Sequence, residues 1–215
     1  MKKFAVILAG CGVYDGAEIQ EATLTLLAIC KAGAEYVIYA PDILQHHVIN
    51  HLTGEEMPEK RNVLVESARI ARGKIIPLSQ FDASRVDALI FPGGFGAAKN
   101  LCDWAFKGDD CQVNPDVEKA VKAMFQMKKP IGAMCIAPVI LAKLFSDTNL
   151  TTGKDRSSGD FIRKTGNTYT ETSHGEVVID KEKKLFTTPC YMLDANIVQI
   201  AEGTENLVRE MLKCM

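Results

Sequence analysis

The stretch Pro130-Ile131-Gly132-Ala133-Met134-Cys135-Ile136-Ala137-Pro138-Val139-Ile140-Leu141 decides how the rest of the chain is read. Ile131 to Met134 is a short apolar run suited to a buried strand. A helix opens at Ile136 and Pro138, where proline is tolerated because the first helical N–H groups have no partner anyway. Cys135 stands at the turn between them, and the small residues Gly132, Ala133 and Ala137 let that turn be tight. A side chain so placed is presented as on a nucleophile elbow, over the positive end of a helix. A helix N-terminus can bring a thiol pKa from about 8.5 down to roughly 3.5 to 7.5, so the expectation is a thiolate near neutrality that attacks carbonyl carbon. The competing reading is a buried core thiol.

Working outward, apolar runs and helical patterns alternate. Phe4 to Ala9 is a buried strand that opens into the glycine loop Gly10 to Gly16. A helix follows from about Ala17 to Lys31, with apolar positions at Ile19, Ala22, Leu26 and Ile29 thickened by Leu27, and Gly33 stops it. Tyr36 to Ala40 is a second buried strand, which completes a βαβ unit and calls for a right-handed crossover and a parallel sheet. Asp42 to Glu59 is polar and turn-rich and reads as an insertion over the sheet edge. A helix over about Arg61 to Arg72, a short strand at Lys74 to Leu78 and a buried strand at Asp87 to Phe91 come next, the last ending in Pro92-Gly93-Gly94-Phe95-Gly96. Asn114 and Pro115 open a helix that runs to about Met127.

Beyond the elbow helix, Thr151 to Thr168 is polar and glycine-rich. Glu176 to Ile179 and Leu185 to Thr188 read as an antiparallel pair, and a final helix spans about Leu193 to Lys213 with Asp194 near its start. The fold class expected is α/β, a flavodoxin-like three-layer sandwich with a mostly parallel sheet, a nucleophile elbow and a small antiparallel extension, as one domain over 1–215.

Composition narrows the function. With 25 basic and 27 acidic residues there is no charge excess to favour nucleic acid or anionic lipid. No apolar run approaches the ~20 residues of a membrane-spanning helix. The seven cysteines show no Cys-x-x-Cys spacing and their count is odd, which is thiol usage in a reducing compartment. The basic start Met1-Lys2-Lys3 is followed by only a short apolar run, read as a strand, so the expected location is the cytoplasm.

Open parallel sheets hold ligands at the carboxyl ends of their strands. Four loops converge there: Gly10 to Gly16, Pro92 to Gly96, the elbow, and Pro189 to Tyr191. Gly93 and Gly94 can bring N–H groups close to a ligand oxyanion, as can Ile136. A proton partner for Cys135 could be Glu18 or Glu21 on the first helix, or His174. The spacing His174-Gly175-Glu176 suits a Cys-His-Glu triad, but the motif stands before a strand, away from the last core strand, and reads as a solvated turn. His47 and His51 are four apart, yet the segment lacks helical periodicity and a third ligand, so no metal site is assigned. Cys11 and Cys190 read as small packing residues.

Gly132-Ala133-Met134-Cys135-Ile136-Ala137-Pro138 resembles the elbow of the PfpI and parkinsonism-associated deglycase superfamily, which has the class I glutamine amidotransferase-like fold. Pro92-Gly93-Gly94 resembles its oxyanion loop. Leu8 to Gly16, Val48 to Glu55, Pro92 to Leu101 and Thr187 to Leu193 are together similar to the ElbB (enhancing lycopene biosynthesis) group of isoprenoid biosynthesis glyoxalases, over nearly the full chain. In the superfamily the elbow cysteine pairs with a glutamate in a Gly-Ala-Glu-x-x-Glu context. Here that context is Gly16-Ala17-Glu18-Ile19-Gln20-Glu21, so the resemblance implies Glu21 as partner and Gly94 and Ile136 as oxyanion donors. The histidine that many members place after the elbow is missing from Thr151-Thr152-Gly153-Lys154-Asp155, which weakens amidase and peptidase readings.

The resemblance thus implies a glyoxalase that converts glyoxal or methylglyoxal to glycolate or lactate, with Cys135 as nucleophile and Glu21 as acid and base, and with no metal, glutathione or nucleotide. A raised Glu21 pKa, supplied by burial, is part of that expectation. A small dicarbonyl substrate and a homodimer are implied with it. Alternative readings are a non-enzymatic redox-sensing or partner-binding protein and a glutaminase-like amidotransferase subunit.

Overall fold

The computed structural model describes residues 1–215. In chain order the elements are β1 (Lys3–Ile7), α1 (Ile19–Lys31), β2 (Glu35–Ala40), α2 (Val63–Ile70), β3 (Ile76–Pro77), β4 (Ala88–Phe91), α3 (Trp104–Lys107), α4 (Pro115–Gln126), β5 (Ile131–Met134), α5 (Pro138–Leu144), β6 (Asn149–Leu150), α6 (Arg156–Lys164), β7 (Thr168–Tyr169), β8 (Val178–Asp180), β9 (Leu185–Thr188) and α7 (Ile197–Leu212). The main sheet runs β3-β2-β1-β4-β5-β9-β8, parallel except for the edge pair β8 and β9. The expected mostly parallel sheet with an antiparallel extension is what forms. The chain winds outward from β1 to β3, then returns to β4 and winds the other way. The order therefore reverses between β1 and β4, the place where such sheets open a crevice.

β1, β4, β5 and β9 are almost wholly buried because helices cover both faces, which is why they read as continuous apolar runs without alternation. Gly132 shows how close that packing is: a Cβ there would stand 2.5 Å from the Met211 sulfur of α7. One hydrophobic cluster of 51 buried residues joins all these strands to the helices on either side.

Several expectations need correction. In α1 the buried face holds Glu21, Ala22, Thr25, Ala28 and Ile29, while Ile19 and Leu27 are half exposed. The inward stripe is thus rotated away from the purely apolar positions, because it has to deliver a carboxyl group to the sheet's end. The segment 42–59 is irregular as expected, but it covers the glycine loop rather than only the sheet edge: Ile49 N–H donates to Asp15 Oδ2 at 2.7 Å and Tyr14 N–H to His51 Nε2 at 3.1 Å. The polar stretch after the elbow helix contains α6, capped by Asp155, whose Oδ2 accepts from Ser158 N–H at 2.8 Å. The last helix begins at Ile197, later than expected, with a capping box formed by Asn196 and Gln199.

Candidate active site

Cys135 sits directly after β5. Its N–H donates to the Thr188 carbonyl of β9 at 3.0 Å, so the sheet ladder continues as far as the thiol residue itself. Its φ is +58°, a left-handed conformation that a non-glycine residue adopts only where the surroundings hold it. Helix α5 then starts at Pro138, and the turn aims the side chain into the crevice. The elbow inferred from the sequence is present.

Glu21 meets it from α1. The residue is fully buried, and each carboxylate oxygen has a backbone donor: Gly93 N–H to Oε2 at 2.9 Å and Tyr191 N–H to Oε1 at 3.0 Å. The same carboxyl group faces the Cys135 thiol across Gly93, where an added Cβ would stand 2.5 Å from Glu21 Oε2 and 2.8 Å from Cys135 Sγ, and each group shifts the other's proton affinity. Glu18 lies outside this contact. Its Oε2 caps α1 by accepting from Glu21 N–H at 2.6 Å, and so fixes the turn that carries Glu21. The choice between the two glutamates, open on the residues alone, is resolved by the geometry in favour of Glu21.

The two expected glycine roles separate. Gly94 N–H and Ile136 N–H lie close enough to the Cys135 sulfur to lower its pKa, and from there they can also serve an oxyanion formed on a carbon bonded to it. Gly93 N–H is committed to Glu21, so the expectation that it faces the oxyanion is corrected: its donor is already used. Gly93 also has to be glycine for space, since a Cβ there would fall 2.3 Å from the Cys135 Cβ and 2.5 Å from Glu21 Oε2.

Burial pushes the Glu21 carboxyl up to about 8, with the neighbouring Glu18 charge adding to the rise and the N–H groups of Tyr191 and Gly93 opposing it. The raised carboxyl expected from the sequence is present. The Cys135 thiol, 7% exposed, goes the other way from expectation: burial and then the Glu21 charge raise it well above the ordinary thiol range, and the Gly94 and Ile136 N–H groups only partly pull it down. The helix end does act on the sulfur, but desolvation outweighs it. Thiol and carboxyl therefore titrate as a pair that shares its protons.

The remaining candidates lie apart from this pair or beside it in other roles. His174 is half exposed in a turn and does not line the cavity that contains Cys135. His51 uses both ring nitrogens locally, Nδ1 on the Ile49 carbonyl at 3.0 Å and Nε2 on Tyr14 N–H. His47 lies 4.0 Å from Glu56, and no three His, Cys, Asp or Glu side chains converge as a metal-binding set. Cys11 is pushed up by burial and by Glu66. Cys190 is buried, with its thiol raised well above normal. Its φ of +41° turns the backbone just before the Tyr191 N–H that anchors Glu21. That anchor was missed in the sequence, although Pro189 to Tyr191 was recognised as one of the converging loops.

In front of Cys135 the strand ends enclose a cavity of about 410 Å³ walled by Val13, Phe95, Trp104, Tyr191 and Met192, with Glu18 and Asp155 also on its surface. Such a site can add a sulfur to a carbonyl group, hold the resulting oxygen between two N–H groups, and move protons through one buried carboxyl group.

Comparison with known proteins agrees with this fold. The model of the DJ-1/PfpI family matches residues 12–190. The ES1 protein homolog, mitochondrial, of Rattus norvegicus is 43% identical over 221 residues, covering 98% of this chain and 83% of the rat protein. The crystal structure of an isoprenoid biosynthesis protein with amidotransferase-like domain from Ehrlichia chaffeensis matches with TM-score 0.92 at 33% identity, over 99% of this chain and all of that one. Glyoxalase III from Candida albicans matches with TM-score 0.66 at 13% identity, over 100% of this chain and 97% of the other, a likeness of fold alone. The curated rat relative bears the ES1 name, while the isoprenoid designation comes with the Ehrlichia structure. The cytoplasmic expectation is overturned by the rat relative's mitochondrial designation, which human and zebrafish relatives share. Free thiols report a reducing compartment, and that property does not distinguish cytosol from mitochondrial matrix.

Proposed function

The chain belongs to the DJ-1/PfpI family, and on that footing we propose that it is a cofactor-independent glyoxalase that converts glyoxal to glycolate and methylglyoxal to lactate. The observation that carries this reading is the juxtaposition of the buried Glu21 carboxyl and the Cys135 thiol, both against Gly93, with Cys135 lining a cavity. The active form is the pair with one proton. Cys135 Sγ bonds to the aldehyde carbon, the shared proton passes to the carbonyl oxygen, and a hemithioacetal forms. Gly94 and Ile136 N–H groups hold that oxygen while its charge develops.

Glu21, now a carboxylate, takes the proton from the carbon bonded to sulfur to give an enediol, and returns it to the adjacent carbon while the hydroxyl proton of the sulfur-bearing carbon passes to the oxygen of that adjacent carbon. The product is a thioester of the 2-hydroxy acid. Water then attacks the thioester carbonyl, the C–S bond breaks, and the hydroxy acid leaves with the thiol regenerated. The chain's fold family includes glyoxalase III, which supports the reaction class. A role linked to isoprenoid biosynthesis rests on the designation of the Ehrlichia relative. Homodimeric assembly belongs to the same proposal and is checked by light scattering of the purified protein. Steady-state assays with glyoxal and methylglyoxal on wild type, Cys135→Ala and Glu21→Gln test the chemistry. A glutaminase would instead release ammonia from glutamine and depend on His174.

A further inference from the structure

Glyoxal and methylglyoxal would leave most of the space before Cys135 empty. The cavity of about 410 Å³ falls within the range of pockets that enclose drug-sized ligands. Beyond the sulfur most of its lining is aromatic or apolar, with Phe95, Trp104, Tyr191 and Met192, and Glu18, Asp155 and Ser157 are the polar exceptions. Trp104 is braced from behind by Phe161, with ring centroids 5.7 Å apart, so this wall is a packed surface.

The charges on the walls are one-sided. Glu18 and Asp155 line the cavity, and no lysine, arginine or histidine does. The N-terminus of α6 does not reverse this sign, because Asp155 Oδ2 already accepts from Ser158 N–H at 2.8 Å and from Ser158 Oγ at 2.6 Å. An incoming carboxylate or phosphate would meet two acids on the walls, while Lys99, 5.4 Å from the Phe95 ring centroid, donates to the Tyr14 carbonyl and does not line the cavity.

We propose that the carbonyl compound admitted to Cys135 is an uncharged α-oxoaldehyde with an aryl or comparably bulky apolar substituent, and that anionic aldehydes are rejected. This rests on Cys135 as the nucleophile and specifies what reaches it. The chemistry is that already described. The S–C bond forms, the carbonyl oxygen gains the shared proton, a hydrogen moves to the adjacent carbon, and water releases an aryl-substituted 2-hydroxy acid.

Two measurements test it on the purified full chain. The first compares kcat/KM for phenylglyoxal, methylglyoxal and 4-carboxyphenylglyoxal. Burying the ring should favour phenylglyoxal over methylglyoxal by roughly tenfold or more, and the carboxylate should cost roughly tenfold against phenylglyoxal. Trp104→Ala should narrow the phenyl-to-methyl ratio. The second follows alkylation of the Cys135 peptide by mass spectrometry with N-phenyl iodoacetamide, iodoacetamide and iodoacetate, each rate divided by that of free cysteine. The expected order is anilide, amide, acetate. Asp155→Asn, which keeps a side chain able to cap α6, should raise the acetate-to-amide ratio.

Equal phenyl and methyl efficiencies, or normalised iodoacetate labelling as fast as that of iodoacetamide, would overturn the proposal. If no aldehyde turns over while the alkylation order holds, the glyoxalase reading falls and the selectivity of the pocket stands.

Discussion

Glu21 and Cys135, 114 positions apart in the chain, face each other across Gly93 beside the point where the strand order reverses. The Glu21 carboxyl is held from both sides by the N–H groups of Gly93 and Tyr191, which belong to the loops after β4 and β9. Four segments of chain therefore fix one proton beside one sulfur, and that arrangement organises the predictions below.

Glu21→Gln should damage both stability and turnover. The two carboxylate oxygens each accept a backbone N–H, whereas an amide offers one oxygen and one NH2, so a donor must face a donor. The expected cost is about 1–3 kcal/mol in chemical denaturation. Loss of the acid and base should lower kcat with glyoxal by roughly 10²- to 10⁴-fold.

The pH dependence follows from the raised carboxyl. Unfolded, Glu21 titrates near 4.5, and folded, near 8. Between these values the native state keeps a proton that the unfolded state has lost. Glu21 thus stabilises the fold fully below pH 4.5, and this contribution declines as pH rises toward 8, by about 1.4 kcal/mol per unit within the window. Denaturation curves of wild type minus Glu21→Gln across pH 5 to 8 should show that slope. Activity has the opposite sign: kcat/KM for glyoxal should rise with pH toward about 8 as the pair sheds its first proton, and Glu21→Gln should lack that limb.

Gly93→Ala should abolish the site's geometry, because the new methyl would meet Cys135 Cβ, Glu21 Oε2 and Cys135 Sγ at 2.3, 2.5 and 2.8 Å. A drop of roughly 10²-fold or more in kcat/KM is expected, as for loss of a positioning donor. Gly73→Ala is the comparison: its φ is positive, at +79°, but nothing lies within 4 Å of the added Cβ. It should cost only about 1 kcal/mol in stability and leave glyoxal turnover unchanged.

Much of this was legible in the chain for specific reasons. The buried parallel strands are unbroken apolar runs, the elbow announces itself by Gly132, Ala133, Cys135 and Pro138, and the four converging loops follow from strand order. What escaped depended on tertiary contacts. Glu21 could have been separated from Glu18 by noticing that it shares a helical face with Thr25 and Ala28, but apolar periodicity alone drew the stripe through Ile19 and Leu27, which are half exposed. Helix α6 is hidden by its polar sequence, and its cap Asp155 becomes visible only once Ser158 is seen to donate to it. The direction of the Cys135 shift was missed because a helix N-terminus can be read from sequence, whereas the depth of burial that opposes it cannot.

His174→Ala should leave glyoxal turnover within about twofold and stability nearly unaltered, since the side chain is half exposed in a turn and off the cavity wall. Ammonia release from glutamine, lost in this variant, would instead favour the amidotransferase reading.

Conversion of glyoxal to glycolate by purified wild type and by Cys135→Ala, followed by direct quantification of glycolate, tests the central claim most directly. The account predicts steady glycolate formation by wild type and a loss of roughly 10³-fold or more in the variant. Full glyoxal conversion by Cys135→Ala would contradict it.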